Sequence, residues 1–282
     1  MTISKKQDLW LKVLVIAVVL LIFTPIFIML PSMLKTKQEI FSYPWRFWPQ
    51  EPTFDNFSRI LYLRYTSIGI DFFHSVFITI VVASLAVIGA LTLNMTAAFA
   101  FARTDFPGKR WIWPLVISTM FIPGITILLT SVRVVTLLGM LDTLAVLVIP
   151  GLVAAYNIFF FRQFYLGFPK EIDEAAKIDG ASTFQIYRLI YLPMSKTPMI
   201  IIGASIFMGY YNSYLWPTLT ISHDRPDLFQ IMYVIRMLFS DASELGYGSV
   251  LAATFIAMIP PLIVFVFVQK YIREGIQLSG IK

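Results

Sequence analysis

Six stretches of the chain, approximately 11–31, 72–101, 111–129, 143–164, 197–217 and 249–269, are apolar at nearly every position and are separated by more polar segments. A helix rising about 1.5 Å per residue needs roughly 20 mostly apolar residues to cross a hydrocarbon core about 30 Å thick. The pattern therefore predicts six membrane-spanning helices in an all-α polytopic membrane protein. The first stretch follows Lys5 and Lys6. Its apolar run exceeds the roughly 7–15 residues of a signal-peptide core and no small-residue cleavage site follows, so it reads as a retained helix.

The polar segments carry their own pattern. Segment 32–71 contains Pro44, Pro49 and Pro52, which predict an extended, turn-rich path. It continues into "FDNFSRI", a short surface helix with Asp55 or Asn56 as cap. Trp45, Phe47 and Trp48 suit a lipid interface. Segment 165–196 contains "KEIDEAAKID", strong helix formers with acids early, where the helix dipole favours them. Gly180 ends that helix in a left-handed conformation, and Ser182 or Thr183 caps a second, "FQIYRLIYL", that stops before Pro193. Two short amphipathic helices meeting at a bend suit either a groove on a soluble partner or packing on the chain's own bundle. Within the apolar stretches, Pro123-Gly124, Pro150-Gly151 and Pro260-Pro261 break their helices, and the freed carbonyls need partners from protein or water.

Composition agrees with a membrane setting. Of the 282 residues 58% are hydrophobic and 13% charged, and the mean hydropathy is +0.77; soluble domains are about 25% charged. The absence of cysteine excludes disulfides and thiol chemistry, and two histidines, His74 and His223, make a histidine metal site improbable. The net charge of +6 follows membrane side rather than nucleic-acid binding. Segments 1–10, 102–110, 165–196 and 270–282, with Lys12 and Arg162, hold 14 of the 22 basic residues and 7 of the 16 acidic ones. The positive-inside bias places these segments and both termini in the cytoplasm.

Candidate chemistry is sparse. No mid-span acid is present to couple a proton, which disfavours a stand-alone secondary transporter. His74, near a membrane end, reads as a helix-start or interface residue rather than a catalytic base. No G-x-x-x-x-G-K-[ST] occurs, Gly108-Lys109 being followed by Arg110, so ATP is not bound through a phosphate loop of this chain. Near the end of the fifth stretch, Tyr210 and Tyr214 share one helical face and Asn212 and Trp216 another, with Tyr211 beside them. Aromatic faces plus an amide suit a sugar, and an interfacial aromatic belt predicts the same residue types.

The spacing Glu174-Ala175-Ala176, three residues, Gly180, nine residues, Ile190, one residue, Leu192-Pro193 resembles the EAA loop of ABC importer permeases. "AAFAFARTDFPGKR", "FFFRQFYLGFPKEIDEAAKIDGAS", "YYNSYLWP" and "IPPLIVFVFVQKYIREGI" extend the resemblance to the maltose-type carbohydrate-uptake branch, with departures at His74-Ser75 and Tyr211-Asn212. "FFRQF", "PMSKT" and "YLWP" also resemble glycerol-3-phosphate-type permeases. The resemblance implies a single permease domain over 1–282 in a bacterial or archaeal cytoplasmic (inner) membrane. Its coupling loop, at about 165–196, would use Glu174, Ala175, Ala176, Asp179, Gly180, Ile190, Leu192 and Pro193 to dock an ATPase. The implied partners are a second homologous permease, two copies of a cytoplasmic ABC ATPase that carry the ATP and Mg, an extracytoplasmic solute-binding protein and lipid. The chain itself would hold no cofactor or metal and catalyse no covalent chemistry. The implied solute is a sugar or oligosaccharide, the alternative glycerol 3-phosphate or a glycerophosphodiester.

Overall fold

A computed structural model of the chain describes residues 5–61, 64–65 and 70–279. The extreme ends 1–4 and 280–282, with Lys282, which the charge pattern assigns to the cytoplasm, lie outside the described residues. Helices α1 (Lys5–Ser32), α2 (Asp55–Leu61) and α3 (Phe72–Arg103) come first, with a two-residue antiparallel ribbon, β1 (Arg64–Tyr65) and β2 (Ile70–Asp71), between α2 and α3. Then follow α4 (Lys109–Ser118), α5 (Gly124–Leu137), α6 (Leu144–Val148), α7 (Ala155–Leu166), α8 (Glu171–Ile178), α9 (Thr183–Ile186) and α10 (Leu192–Met194). The last are α11 (Lys196–Tyr211), α12 (Leu215–Thr220), α13 (Ile231–Ser240), α14 (Ala242–Leu245), α15 (Tyr247–Ala257) and α16 (Ile259–Ser279).

Among the described residues, three stretches are long and apolar enough to cross a membrane without a sharp bend, Leu9–Ser32, Phe72–Arg103 and Tyr247–Arg273, the last running through α15 and α16. The other three are bent pairs. Lys109–Phe121 and Gly124–Leu137 meet at 108°, Leu144–Gly151 and Ala155–Leu166 at 47°, and Thr183–Met194 and Lys196–Tyr211 at 78°. Among the described residues six spans are present if each pair counts as one; the breaks expected at Pro123-Gly124 and Pro150-Gly151 are there, and the stretch 197–217 is also interrupted, α11 ending at Tyr211 and α12 beginning at Leu215. Prolines explain the first two bends, since Pro123 and Pro150 have no N–H to donate to the preceding turn. Pro260 and Pro261 instead sit in the first turn of α16, where a missing donor costs little.

The chain divides into two compact units, Met1–Leu63 with Ile235–Ala257, and Arg64–Val234 with Met258–Lys282. In the first, neither Asp55 nor Asn56 is the cap of α2 that the sequence suggested, since both lie inside the helix, and Asn56 is buried. Its Nδ2 donates to the carbonyls of Met33 and Lys35 at 2.8 Å each, and its Oδ1 accepts from Ser249 Oγ at 3.2 Å. A Cβ on Gly248 would strike this amide, so glycine there lets α15 approach α2. Lys35 is buried with its ammonium on the Arg46 carbonyl at 2.5 Å and over the Trp45 ring at 4.6 Å. Trp45, Phe47 and Trp48 are exposed.

The second unit is built around α3. Asp71 caps it by accepting from the His74 N–H at 3.0 Å. Along one stripe Ala83, Ala86, Ala90 and Ala98 are fully buried, and these small side chains let α7 and α11 pack close against it. Beyond the alanines the core becomes aromatic. Phe99 lies 5.0 Å from the Tyr191 ring, 5.1 Å from Tyr187 and 6.2 Å from Tyr165, which ties the end of α3 to α7 and to segment 183–194.

Candidate functional site

The segment 165–196 folds as the two helices its sequence predicts. Glu171, Asp173 and Glu174 lie in the first turn of α8 and Lys177 in the last, each sign complementing the helix dipole. Gly180 adopts φ +78°. Its N–H donates to the Lys177 carbonyl at 3.0 Å and that of Ala181 to Ala176 at 2.9 Å, the paired bonds of a Schellman end. Ser182 then opens α9 with a reciprocal capping box to Gln185. The second helix does not stop before Pro193; it continues to Met194 through a wide π turn at Tyr187–Tyr191, in which the Leu192 N–H reaches the Tyr187 carbonyl. The wider turn accommodates a proline whose ring would collide with the carbonyl four residues earlier.

The eight motif residues divide between two surfaces. Glu174, Ala175, Asp179, Gly180 and Pro193 are exposed, whereas Ala176, Ile190 and Leu192 are half-buried against the aromatic core. Ile178 (86% exposed) and Phe184 (66%) leave two large apolar side chains uncovered beside Glu174 and Asp179. Lys177 is exposed among them as well, so the uncovered apolar side chains lie among charges of both signs.

Arg103, which sequence reasoning treated as one more cytoplasmic charge, anchors this segment. Its side chain is 6% exposed and its guanidinium lies 3.4 Å from the Asp173 carboxylate. Its Nη2 donates to the carbonyls of Tyr165 (2.6 Å) and Phe168 (2.5 Å) at the end of α7. Asp173 also accepts from the Tyr191 hydroxyl at 2.7 Å. One buried cation thus joins the ends of α3 and α7 to α8 and, through Asp173, to the π turn. The legible signal was its place, the last residue of a long apolar helix just ahead of a Pro-Gly turn.

The break at Pro150-Gly151 is the second feature. Pro150 leaves the Val146 carbonyl without its helical donor, and the Trp216 Nε1–H supplies one at 2.8 Å. The Leu152 N–H turns to Ile149, and the Val148 carbonyl left over accepts from the Tyr210 hydroxyl at 3.0 Å. Asn94, fully buried in the last third of α3, completes the repair. Its Nδ2 donates to Leu152 O at 2.7 Å and its Oδ1 accepts from the Ala154 N–H at 2.9 Å. The freed groups therefore find protein partners, as burial in an apolar setting demands.

Beside this break lies a cavity of about 380 Å³. Pro150, Gly151, Tyr210, Ser213, Trp216 and Gln230 contribute to its wall, together with residues of α5, and none of the described residues that line it is charged. The pairing of faces expected for residues 210–216 does not hold, because α11 ends at Tyr211 and α12 begins at Leu215. The structure brings Tyr210 and Trp216 to one wall. Tyr211 is instead fully buried and stacked on Phe207 (5.7 Å), while Asn212 and Tyr214 are exposed and outside the cavity lining. Sequence reasoning missed Gln230, which lies in the polar connection before α13 and is 2% exposed. At the His74 end of α3, the His74 Nε2 lies 2.9 Å from the Asp227 carbonyl, in keeping with a helix-start role. Arg225 bridges Asp227 at 2.8 Å and reaches the Asp142 carbonyl at 2.6 Å. The hydrogen bond from Arg225 holds the Asp227 carboxyl below the usual carboxylate range.

Comparison with known proteins completes the assignment. Residues 94–277 match the family described as the binding-protein-dependent transport system inner membrane component. The chain belongs to this family. It is a multi-pass permease of the ABC importer class, and its relatives cover it nearly end to end. It is 30% identical over 264 residues, 93% of both chains, to the sn-glycerol-3-phosphate transport system permease protein UgpE of Rhizobium meliloti. It is 28% identical over 269 residues, 95% of both chains, to the protein of that name in Yersinia enterocolitica. The fold is similar to a chain in the crystal structure of a bacterial ABC transporter involved in the import of the acidic polysaccharide alginate. The TM-score is 0.79 at 22% identity, over 96% of this chain and 99% of that one.

Proposed function

We propose that this permease works as one half of a membrane pore, its exposed face at Glu174–Gly180 docked on a cytoplasmic ABC ATPase. The observation that carries this is the pairing of an uncovered apolar face, Ile178 and Phe184, with a buried anchor beneath it, Arg103–Asp173–Tyr191. A face built only to pack on its own bundle would not leave these side chains open. In this reading residues 165–196 and both termini are cytoplasmic, in line with the distribution of basic residues. A second, homologous permease completes the path, and an extracytoplasmic solute-binding protein delivers the solute. Two ATPase subunits hold ATP and Mg, and their closure drives alternating access. This chain holds no cofactor and makes or breaks no covalent bond.

The solute is a neutral carbohydrate, a sugar or oligosaccharide. The uncharged lining of the cavity supports this, since a phosphate dianion leaving water needs Arg or Lys partners. The names of the relatives favour a second reading, glycerol 3-phosphate. Uptake of labelled sugars against labelled glycerol 3-phosphate by the assembled complex separates the two.

Docking is tested at the bend. Gly180 holds φ +78°, which proline cannot adopt, and donates a hydrogen bond that proline lacks. Gly180→Pro is therefore expected to abolish solute-dependent stimulation of ATP hydrolysis and uptake while the permease still reaches the membrane. Normal uptake in that variant would rule out the docking role.

A further inference from the structure

We propose that the groove where the start of α4 meets the ends of α3 and α7 binds the headgroup of an anionic phospholipid, its phosphodiester held by Lys109, Arg110 and Arg162. The proposal is separate from solute and docking, and needs only that α4 starts at a membrane surface, as a span beginning at Lys109 requires.

The groove, of about 470 Å³, has Asp105, Lys109, Arg110, Trp113, Pro114 and Arg162 in its lining. Three cations stand there against one carboxylate, and that carboxylate, Asp105, is fully exposed to solvent. Arg162 is the held donor. Its guanidinium lies 4.2 Å from the centre of the Trp113 ring, and its Nε donates to the Phe101 carbonyl at 3.2 Å. Its Nη1 and Nη2 have no hydrogen-bond partner among the described residues, and neither is buried. Lys109 turns back on the Thr104 carbonyl at 2.6 Å and on Asp105 at 3.4 Å, so it contributes mainly charge. Arg110 is exposed and meets only the Trp111 ring, at 5.3 Å, among the described residues.

The place of these cations in the helix is a second, independent observation. Lys109 and Arg110 occupy the first turn of α4, the positive end of its dipole, where cations are disfavoured. The N-cap is Gly108 at φ +84°, no side chain caps the helix, and its first turn holds no acid. In α8 the first turn is acidic, the favourable arrangement. An anion in the groove offsets both the repulsion among the cations and the adverse dipole. Beside the groove α4 becomes apolar: Trp111 and Leu115, 75% and 67% exposed, stand four residues apart on one face. A phospholipid uses both surfaces, the cations with its phosphate and the apolar face with its chains, whereas a free phosphate uses only the first. The positive-inside bias accounts for cations at this end of the spans, but not for their gathering around a groove at the wrong end of a helix dipole.

The test uses the complete complex of permease pair, ATPase and solute-binding protein, purified in detergent and titrated with radiolabelled phosphatidylglycerol or phosphatidylcholine. The wild-type complex is expected to bind phosphatidylglycerol saturably and phosphatidylcholine about tenfold more weakly, because choline brings a cation to a cationic groove. Arg110→Gln combined with Arg162→Gln is expected to raise the Kd for phosphatidylglycerol about tenfold or more, the scale of one lost charge-assisted hydrogen bond. Arg162 also holds the Phe101 carbonyl. If the double variant fails to accumulate, Arg110→Gln alone replaces it, with an expected rise of about fivefold, the scale of one surface cation near an anionic lipid. Lys270→Gln combined with Arg273→Gln removes the same charge from exposed positions outside the groove lining and is expected to leave Kd unchanged. An equal rise in that control would mean that overall charge attracts the lipid, and would overturn the site. An unchanged Kd in the groove variant, failure of Arg110→Gln to accumulate, equal binding of the two lipids or no saturable binding would each overturn it too. Displacement of the lipid by millimolar inorganic phosphate would assign the groove to a free anion and overturn the lipid headgroup. Each of these outcomes leaves the docking and uptake readings standing.

Discussion

Arg103→Met is expected to lower uptake by the assembled complex about tenfold or more, a loss that ~1.4 kcal/mol is enough to produce. The side chain is 6% exposed and holds Asp173 together with the Tyr165 and Phe168 carbonyls. Removing one partner of a buried ion pair costs about 3–5 kcal/mol, because the other is left in a poor solvent. Tyr191 still donates to Asp173 and holds the segment in part, so the permease is expected to reach the membrane with its docking segment loosened. On the docking proposed above, movement of the ATPases would then reach α8 without reaching α3 and α7, and uptake is expected to fall further than ATP hydrolysis does. Arg103→Lys keeps the charge, but an ammonium cannot fork to two carbonyls and a carboxylate in one plane, so an intermediate loss is expected. Uptake and hydrolysis measured side by side decide the matter. A Met variant that transports at the wild-type rate would show that the anchor does not carry the motion.

The second large effect is expected at Asn94. Replacing it with leucine leaves the Leu152 carbonyl and the Ala154 N–H without partners inside the helix packing. Each unsatisfied buried group costs about 1–3 kcal/mol, so the expected loss is roughly 2–6 kcal/mol. That is a large share of the ~5–15 kcal/mol by which a typical domain is stable. Asn94→Leu should therefore sharply reduce the amount of permease in the membrane and its resistance to heating in detergent. Thr92→Leu serves as control. Its hydroxyl is exposed and bonds within its own helix to the Ile88 carbonyl at 2.7 Å, so a change within about 0.5 kcal/mol is expected. Equal melting of the two variants would mean that the break is satisfied in some other way.

The sequence by itself determined what depends on composition and on neighbours along the chain. Six apolar stretches are legible because about 20 apolar residues in a row have no soluble alternative. The ends of α8 and α9 are legible because Gly180 and Ser182 act within a few residues of themselves, through a left-handed φ and a capping box. The motif residues at 174–193 are legible because their spacing is local.

Tertiary structure decided how the apolar stretches bend and which side chains meet. Prolines announced breaks at 123 and 150, but angles of 108° and 47° depend on what each arm packs against. Tyr210 and Trp216 looked like one helix's aromatic faces, and their polar ends instead repair a break some 60 to 70 residues away in sequence. Asn94 and Gln230 carry no local signal at all, since an amide in an apolar run and one in a polar connection look unremarkable singly. Arg103 and Asp173 were both read as loop charges and became one buried pair. In an apolar environment each freed donor or acceptor must find a partner, and that partner is chosen by proximity in space, which periodicity along a uniformly apolar helix cannot encode.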